Sequence, residues 1–288
     1  MSTEVLKHYG LTEADRLGSG WESRIYALGE AHILRIPHPV PEVETQVRAR
    51  ATFTNGLPAM IFDVPRVREI KHVKGVLVTV EDRIAGRSLA QVLPELAGER
   101  RRRALAAYLE TAEMMAALKT EGDYGDLLLP HPLRCAHWGE YLAKRLDGFA
   151  ADEVLARDVP GFDGIVARLR AQILSLPDPE RRIVHGDFWP PNVMMDAELR
   201  VTGLIDFSFT TRVGDTLMDL AGAAHFIRIG NPHATEDFDF LMRLIDSRHG
   251  AKLRERVRLY GVWFAFSFAY AHEEPVIYPW CLEMIRGF

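Results

Sequence analysis

The hydrophobic pattern changes period once along this chain, and that change restricts the fold more than any other feature of the sequence. Up to about residue 85 the apolar residues come in short runs broken by Gly, Pro and Asn, as strands and turns require. Asp15 to Leu28 reads as two short strands around a glycine-containing turn, and His32 to Ile36 as a third. Val76 to Val80 is an almost continuous β-branched run, which suits a buried strand. One helix interrupts, Glu42 to Phe53, ended by Asn55-Gly56 and Pro58. Beyond Gly86 the apolar residues step by three and four, so that Leu105, Tyr108, Leu109, Ala112 and Ala116 share one face of a long helix. Phe162 to Leu174 is a second helix stopped by Pro177, and the pattern is helical again from Thr216 onward. Between them Val193 to Met195 and Val201 to Ile205 form a hairpin around Asp196 to Leu199. The expected fold is α+β in two lobes: β-rich over 1–85, larger and mainly helical over 86–288, joined near Glu81 to Gly86.

With 288 residues, 48% of them apolar and 26% charged, the chain can bury a sizeable core, which excludes disorder and a disulfide-stapled miniprotein. Gly261 to Ala271, the longest near-apolar run, is too short to cross a bilayer. Met1 to Gly10 carries Glu4, Lys7 and His8 and has no apolar block of the signal-peptide kind. Cys135 and Cys281 lack metal-ligand spacing and read as reduced thiols. A soluble cytoplasmic protein without a membrane partner is therefore expected. The net charge of −5 and the lack of a dense basic block argue against nucleic acid. Arg100 to Arg103 opens a helix and reads as a solvated face.

The chemistry is concentrated in Ile183-Val-His-Gly-Asp-Phe-Trp-Pro-Pro-Asn192 and in Leu204-Ile-Asp-Phe207. A short loop followed by a two-stranded hairpin brings Asp187, Asn192 and Asp206 to one end of the strands. His-Gly-Asp with an asparagine five residues after the aspartate resembles the catalytic loop of the aminoglycoside phosphotransferase and choline kinase family. A similar loop, with Arg for Gly, occurs in protein kinases. Asp206 follows 19 residues after Asp187, where such kinases place their metal-binding aspartate, and Gly214 to Ala221 resembles a further family segment. The resemblance spans roughly residues 15 to 222 and implies a bilobal protein-kinase-like fold.

It also implies roles. Phosphoryl transfer is mostly positioning and charge neutralisation. Asp187 would orient the acceptor hydroxyl and take its proton. Asp206 would be the principal Mg2+ ligand, with Asn192 adding a carbonyl oxygen. His185 would brace the loop. Upstream, Gly18, Ser19 and Gly20 resemble a reduced glycine loop whose backbone amides approach the phosphates of ATP or GTP. Arg35 stands where the family has a lysine, and its expected helix partner is Glu44, with Glu42 the alternative. Asp82 and Ile84 fall in the segment that would bind the nucleotide base through its backbone. Asp215 is open between metal contact and a helix cap. Asp215 and Asp219 are both left out of the catalytic set.

Only eight residues separate Asp206 from Asp215, too few for a peptide-binding activation segment, so the expected acceptor is a small molecule bearing a hydroxyl. An antibiotic-type phosphotransferase, a choline- or ethanolamine-type kinase and a catalytically silent nucleotide-binding protein all remain open. His225 to Phe288 holds eight acidic and eight basic side chains and twelve of the 27 aromatics. Tyr260, Trp263, Phe264 and Phe268 follow helical spacing and read as core, whereas Tyr278, Trp280 and Trp189 are candidates for a pocket wall. That balance favours an acceptor with at most one or two positive charges over a polycation. No feature of the sequence speaks to oligomeric state.

Overall fold

The computed structural model describes residues 2–19 and 22–288. Its first part is an antiparallel sheet of β1 (Arg16–Ser19), β2 (Ser23–Leu28), β3 (His32–Pro37), β4 (Val67–Val73) and β5 (Val76–Asp82), in the order β1-β2-β3-β5-β4. Alternation along the strands gives the sheet two unlike faces. One buries Tyr26, Leu34, Ile36, Val73 and Val78 against Val5 and Leu6 of the first helix, α1 (Ser2–His8). On the other, Ile25 pairs with Arg35, Arg35 with Thr79 and Ile33 with Glu81. Cross-strand partners share a face, so charged groups gather on the side away from that small core. Helix α2 (Val43–Gly56) runs past the expected stop at Asn55. The Asn55 amide exchanges two hydrogen bonds with the Val67 backbone, at 2.8 and 2.9 Å, which holds this last turn against β4.

The second part carries two small sheets and most of the helices. Strand β6 (Arg87–Ser88) pairs with β10 (Val193–Met195), which forms the expected hairpin with β11 (Val201–Leu204). The other sheet has the order β8-β7-β12-β9, from β7 (Tyr124–Asp126), β8 (Arg134–Cys135), β9 (Arg182–Val184) and β12 (Arg212–Gly214). The helices are α3 (Leu89–Val92), α4 (Gly98–Met115), α5 (Trp138–Phe149), α6 (Glu153–Asp158), α7 (Phe162–Leu174), α8 (Leu217–Phe226), α9 (Ala234–His249), α10 (Arg254–Phe268) and α11 (Ile277–Arg286). Every residue of α8 is buried, so it is the central helix of the core rather than an amphipathic surface helix. Among the described residues no helix is long and apolar enough to cross a membrane, and both cysteines are buried and unbridged.

The arginine run at the start of α4 is not wholly a solvated face. Arg100, Arg102 and Arg103 are exposed, but Arg101 turns inward. It forms a two-pronged pair with Asp237 of α9, at 2.8 and 2.5 Å, and donates to the Leu93 carbonyl at 2.7 Å. Removing one partner of such a buried pair strands the other, at a cost of about 3–5 kcal/mol. Asp237→Ala should therefore lower the unfolding free energy by about that amount, while Arg102→Ala stays within about 0.5 kcal/mol. Equal urea midpoints for the two variants would refute this assignment.

Candidate active site

The loop after β9 is fixed at its backbone. Gly186 has φ +78°, and a Cβ there would lie 2.2 Å from the Thr210 carbonyl oxygen, so a side chain has neither the conformation nor the room. The amides of His185 and Gly186 each donate to one oxygen of Asp219, both at 2.9 Å. The His185 imidazole lies between the loop and the strand leading to Asp206. Its Nε2 is 3.0 Å from the Ile205 carbonyl oxygen, and the Asp187 amide donates to its Nδ1 at 3.3 Å. Burial against Phe207, with ring centroids 4.6 Å apart, pushes its pKa down to about 4. The ring is thus neutral, with the proton assigned to Nε2, and it acts as a brace.

Asn192 and Asp187 are joined directly. The Asn192 Nδ2 donates to both the carboxylate and the carbonyl of Asp187, at 3.0 Å each, which turns its Oδ1 to other partners. Burial, followed by the charge of Asp206, raises Asp187 to about 7. Asp206 adopts φ +69°, a left-handed conformation that aspartate tolerates better than most side chains. Its carboxylate stays 42% exposed and lies 3.7 Å from the Arg35 Nη1. The structure thus brings Asp187, Asn192, Asp206 and Arg35 together.

Arg35 does not pair with Glu44. It donates through Nε to Glu81 at 3.1 Å and through Nη1 to Ser23 at 3.0 Å. Glu81 also accepts from Arg50 of α2 at 2.6 Å and from the Thr79 hydroxyl at 2.6 Å. The reason is register: Glu81 and Arg35 stand on one face of adjacent strands, whereas Glu44, in the first turn of α2, points to solvent. There it bonds Arg48 at 2.6 Å and lies 3.6 Å from His72. The alternative, Glu42, pairs with His131 at 2.9 Å. The strand therefore supplies the carboxylate and the helix an arginine. An acid directly after the β-branched run, still within β5, was the available signal for Glu81.

Arg35, Asp187, Asn192 and Asp206 open onto a cleft of about 580 Å3 between the large sheet and the helices. Gly18, Asp82 and Ile84 line it. The backbone of Ser19 ends β1, and Gly20 lies outside the described residues. The Asp82 carboxylate is taken by Arg68 at 2.7 and 2.6 Å, so its side chain is already engaged. Trp189 lines the cleft, but Tyr278 and Trp280 do not. Tyr278 donates to Asp158 at 2.9 Å, and Trp280 packs on Phe226 in the core at 5.7 Å. Asp215 caps α8 through the Leu217 amide at 3.0 Å and accepts from Tyr260 at 2.6 Å.

The Glu81 cluster has a measurable acid signature. Desolvation alone would raise Glu81, yet Arg35, Arg50 and Thr79 pull it from 4.5 to about 2. Ionised Glu81 thus stabilises the fold above pH 4.5, and the contribution is lost as pH falls towards 2. The difference corresponds to about 3 kcal/mol. In urea unfolding, Glu81→Gln should be less stable than the parent at pH 7 and should lose less stability between pH 4.5 and 2. Glu44→Ala should follow the parent. Identical acid profiles for parent and Glu81→Gln would refute the pairing.

A family model described as "Phosphotransferase enzyme family" matches residues 13–256. No curated protein matches the chain. Among solved structures, that of aminoglycoside phosphotransferase APH(4)-Ia is 19% identical with a TM-score of 0.72, covering 100% of this chain and 98% of that one. A thermostable mutant of that protein, in ternary complex with AMP-PNP and hygromycin B, is 18% identical with a TM-score of 0.70, at coverages of 100% and 97%. The GDP complex of aminoglycoside 2'-phosphotransferase-IIIa is 14% identical with a TM-score of 0.66, at coverages of 99% and 96%. At such identities these neighbours establish the fold, α+β and protein-kinase-like, and nothing about the acceptor. The family match covers most of the chain: this protein belongs to the phosphotransferase enzyme family.

Proposed function

We propose that the protein moves the γ-phosphate of ATP or GTP to a hydroxyl of a small molecule. The observation that carries this reading is the convergence of Asp187, Asn192 and Asp206 on one end of the cleft, with Arg35 reaching Asp206 from the opposite wall. The solved neighbours with AMP-PNP or GDP bound add support for a nucleotide. In this chain the base would lie near Ile84, between Ile25, Ile33 and Met194, and the phosphates near Gly18 and Arg35. Asp187 would accept the proton of the acceptor hydroxyl. A carboxyl near 7 is a stronger base than an ordinary aspartate yet is still substantially ionised at neutral pH.

The residues present also suit a magnesium ion. One exposed carboxylate, Asp206, and one amide oxygen, Asn192 Oδ1, make the sparse all-oxygen set expected for an ion that keeps most of its other ligands from phosphate and water. When bound, Mg2+ would neutralise phosphate charge. A protein acceptor is disfavoured because the segment after Asp206 enters β12, which is hydrogen-bonded between β7 and β9 and leaves no long platform for a peptide.

Asp187→Asn should lower turnover by roughly 10²- to 10⁴-fold with nucleotide affinity nearly intact, because the group acts on the acceptor. Asp206→Ala should instead abolish the magnesium dependence of nucleotide binding. Full turnover in Asp187→Asn would exclude it as the base. Arg35→Ala should weaken ATP binding, and Arg35→Lys should retain much of the activity. Unchanged ATP kinetics in Arg35→Ala would remove that side chain from the nucleotide site, whereas nucleotide binding by the parent without turnover on any hydroxyl compound would favour the silent-binder reading.

A further inference from the structure

We propose that the acceptor is an uncharged amphipathic alcohol, with its hydroxyl at Asp187 and its apolar body against the ends of the helices. This rests on the phosphotransferase reading and specifies what that cleft takes. In the reaction, the alcohol oxygen bonds the γ-phosphorus as the bond to the β-phosphate oxygen breaks. The hydroxyl proton passes to Asp187, and the nucleoside diphosphate leaves.

The cleft is divided by charge. Its charged lining groups, Glu22, Arg35, Asp82, Arg83, Asp187 and Asp206, come from the large sheet, the residue before β2, the stretch after β5, and the segments carrying Asp187 and Asp206. The part contributed by the last helices contains no charged group. Phe226 closes it from the end of α8, Ile229 from the turn after it, Phe268 from the end of α10, and Ile277 from the start of α11, with Tyr270 and Ala271 between. Phe209, after Asp206, faces the same space.

The carboxylates that a polycation would need are committed elsewhere. Asp237 is held by Arg101, Asp246 by Arg254 and Glu283 by Arg228. Glu236 is exposed beside His233, and neither Glu273 nor Glu274 lines the cleft. An ammonium carried into this end would lose water, and the carboxylates within reach of it are those of the reacting centre and Glu22, whose charge acts on Tyr270 from the sheet side. Apolar surface, in contrast, is left open here. Phe209 and Tyr270 are 42% and 45% exposed, and both line the cleft. Large apolar side chains grouped in a concave site mark where an apolar ligand is covered. The wall is part aliphatic, through Ile229, Ala271 and Ile277, and so is not the all-aromatic cage that a quaternary ammonium would favour.

The test is calorimetric binding to the full chain with Mg2+ and AMP-PNP, using octyl β-glucoside below its micellar concentration, glucose, choline and kanamycin. Octyl β-glucoside should bind at least tenfold more tightly than each of the other three. Ile229→Asp should weaken that binding at least tenfold with AMP-PNP affinity unchanged, and Tyr270→Asp, at an exposed position, should do the same if the first variant does not fold. Ile61→Asp, which alters an exposed apolar residue outside the cleft, should leave it unchanged. Tighter binding of kanamycin or choline, or octyl β-glucoside binding indifferent to both cleft variants, would overturn the proposal. Failure of the underlying reading is separable: AMP-PNP binding with no phosphate transfer from ATP to any hydroxyl compound would reject the transferase, while the order of affinities would still report what the apolar end of the cleft binds.

Discussion

Asp219 lies fully buried in the central helix, and both of its oxygens are occupied by the amides of His185 and Gly186. Burial raises it to about 7, against the opposing pull of those two amides and of Arg212. Without the loop in place, the carboxylate would be buried with unfilled acceptors, so the helical core and the loop conformation stabilise each other. From that anchor the rest follows in order. The fixed amides set Gly186 in a conformation only glycine enters readily, Asp187 emerges beyond it, and His185 carries the restraint across to Ile205 and so to Asp206. Asp187 and Asp206 are thus positioned by a third carboxylate that does not line the cleft.

The opposite wall solves a similar problem with the signs exchanged. Arg35 is buried and would be costly alone. Glu81 compensates it, and Arg50 in turn compensates Glu81 from the neighbouring helix. A guanidinium can serve two carboxylates at once because its donors are spread across a rigid fork. Arg35 uses Nε for Glu81, while Nη1 faces Asp206. Such a fork delivers positive charge to the Asp206 side of the cleft without a glutamate from the helix.

What was legible in the sequence depended on how locally each interaction is encoded. Strands β1, β2, β3 and β5 and the loop-plus-hairpin were readable, because local spacing decides them, whereas β4 and the short strands β6, β7, β8, β9 and β12 were not. Asp187, Asn192 and Asp206 came together for the same reason, since the hairpin joining them is short. Glu81 was not legible as the partner of Arg35, because the pair depends on strand register across 46 residues. Arg101 was misread because its partner Asp237 is 136 residues away, and four adjacent arginines do not reveal which one faces inward. Tyr278 and Trp280 have the composition of a pocket wall, but their burial is set by how α11 packs on α10, which periodicity does not contain. Asp219 was visible as a residue but not as a loop anchor, since only its total burial and two amide donors distinguish it from an ordinary helix carboxylate.

The division of the cleft follows from the same architecture. The end near the large sheet inherits its groups from strands and short loops, where backbone register holds charges in fixed places. The other end is made from the last turns of α8 and α10 and the first turn of α11, whose inward residues belong to the apolar core. Phe226 shows the transition: it is 2% exposed, makes edge-to-face contacts with Phe264, Phe268 and Trp280, and still lines the cleft. This wall of the cleft is therefore an uncovered margin of the hydrophobic core. A carboxylate for a cationic acceptor would have to be placed in that margin at the cost of core packing, or on the exposed segment between α10 and α11. Glu273 and Glu274 occupy that segment, yet they stand outside the cleft, so the structure leaves the wall apolar.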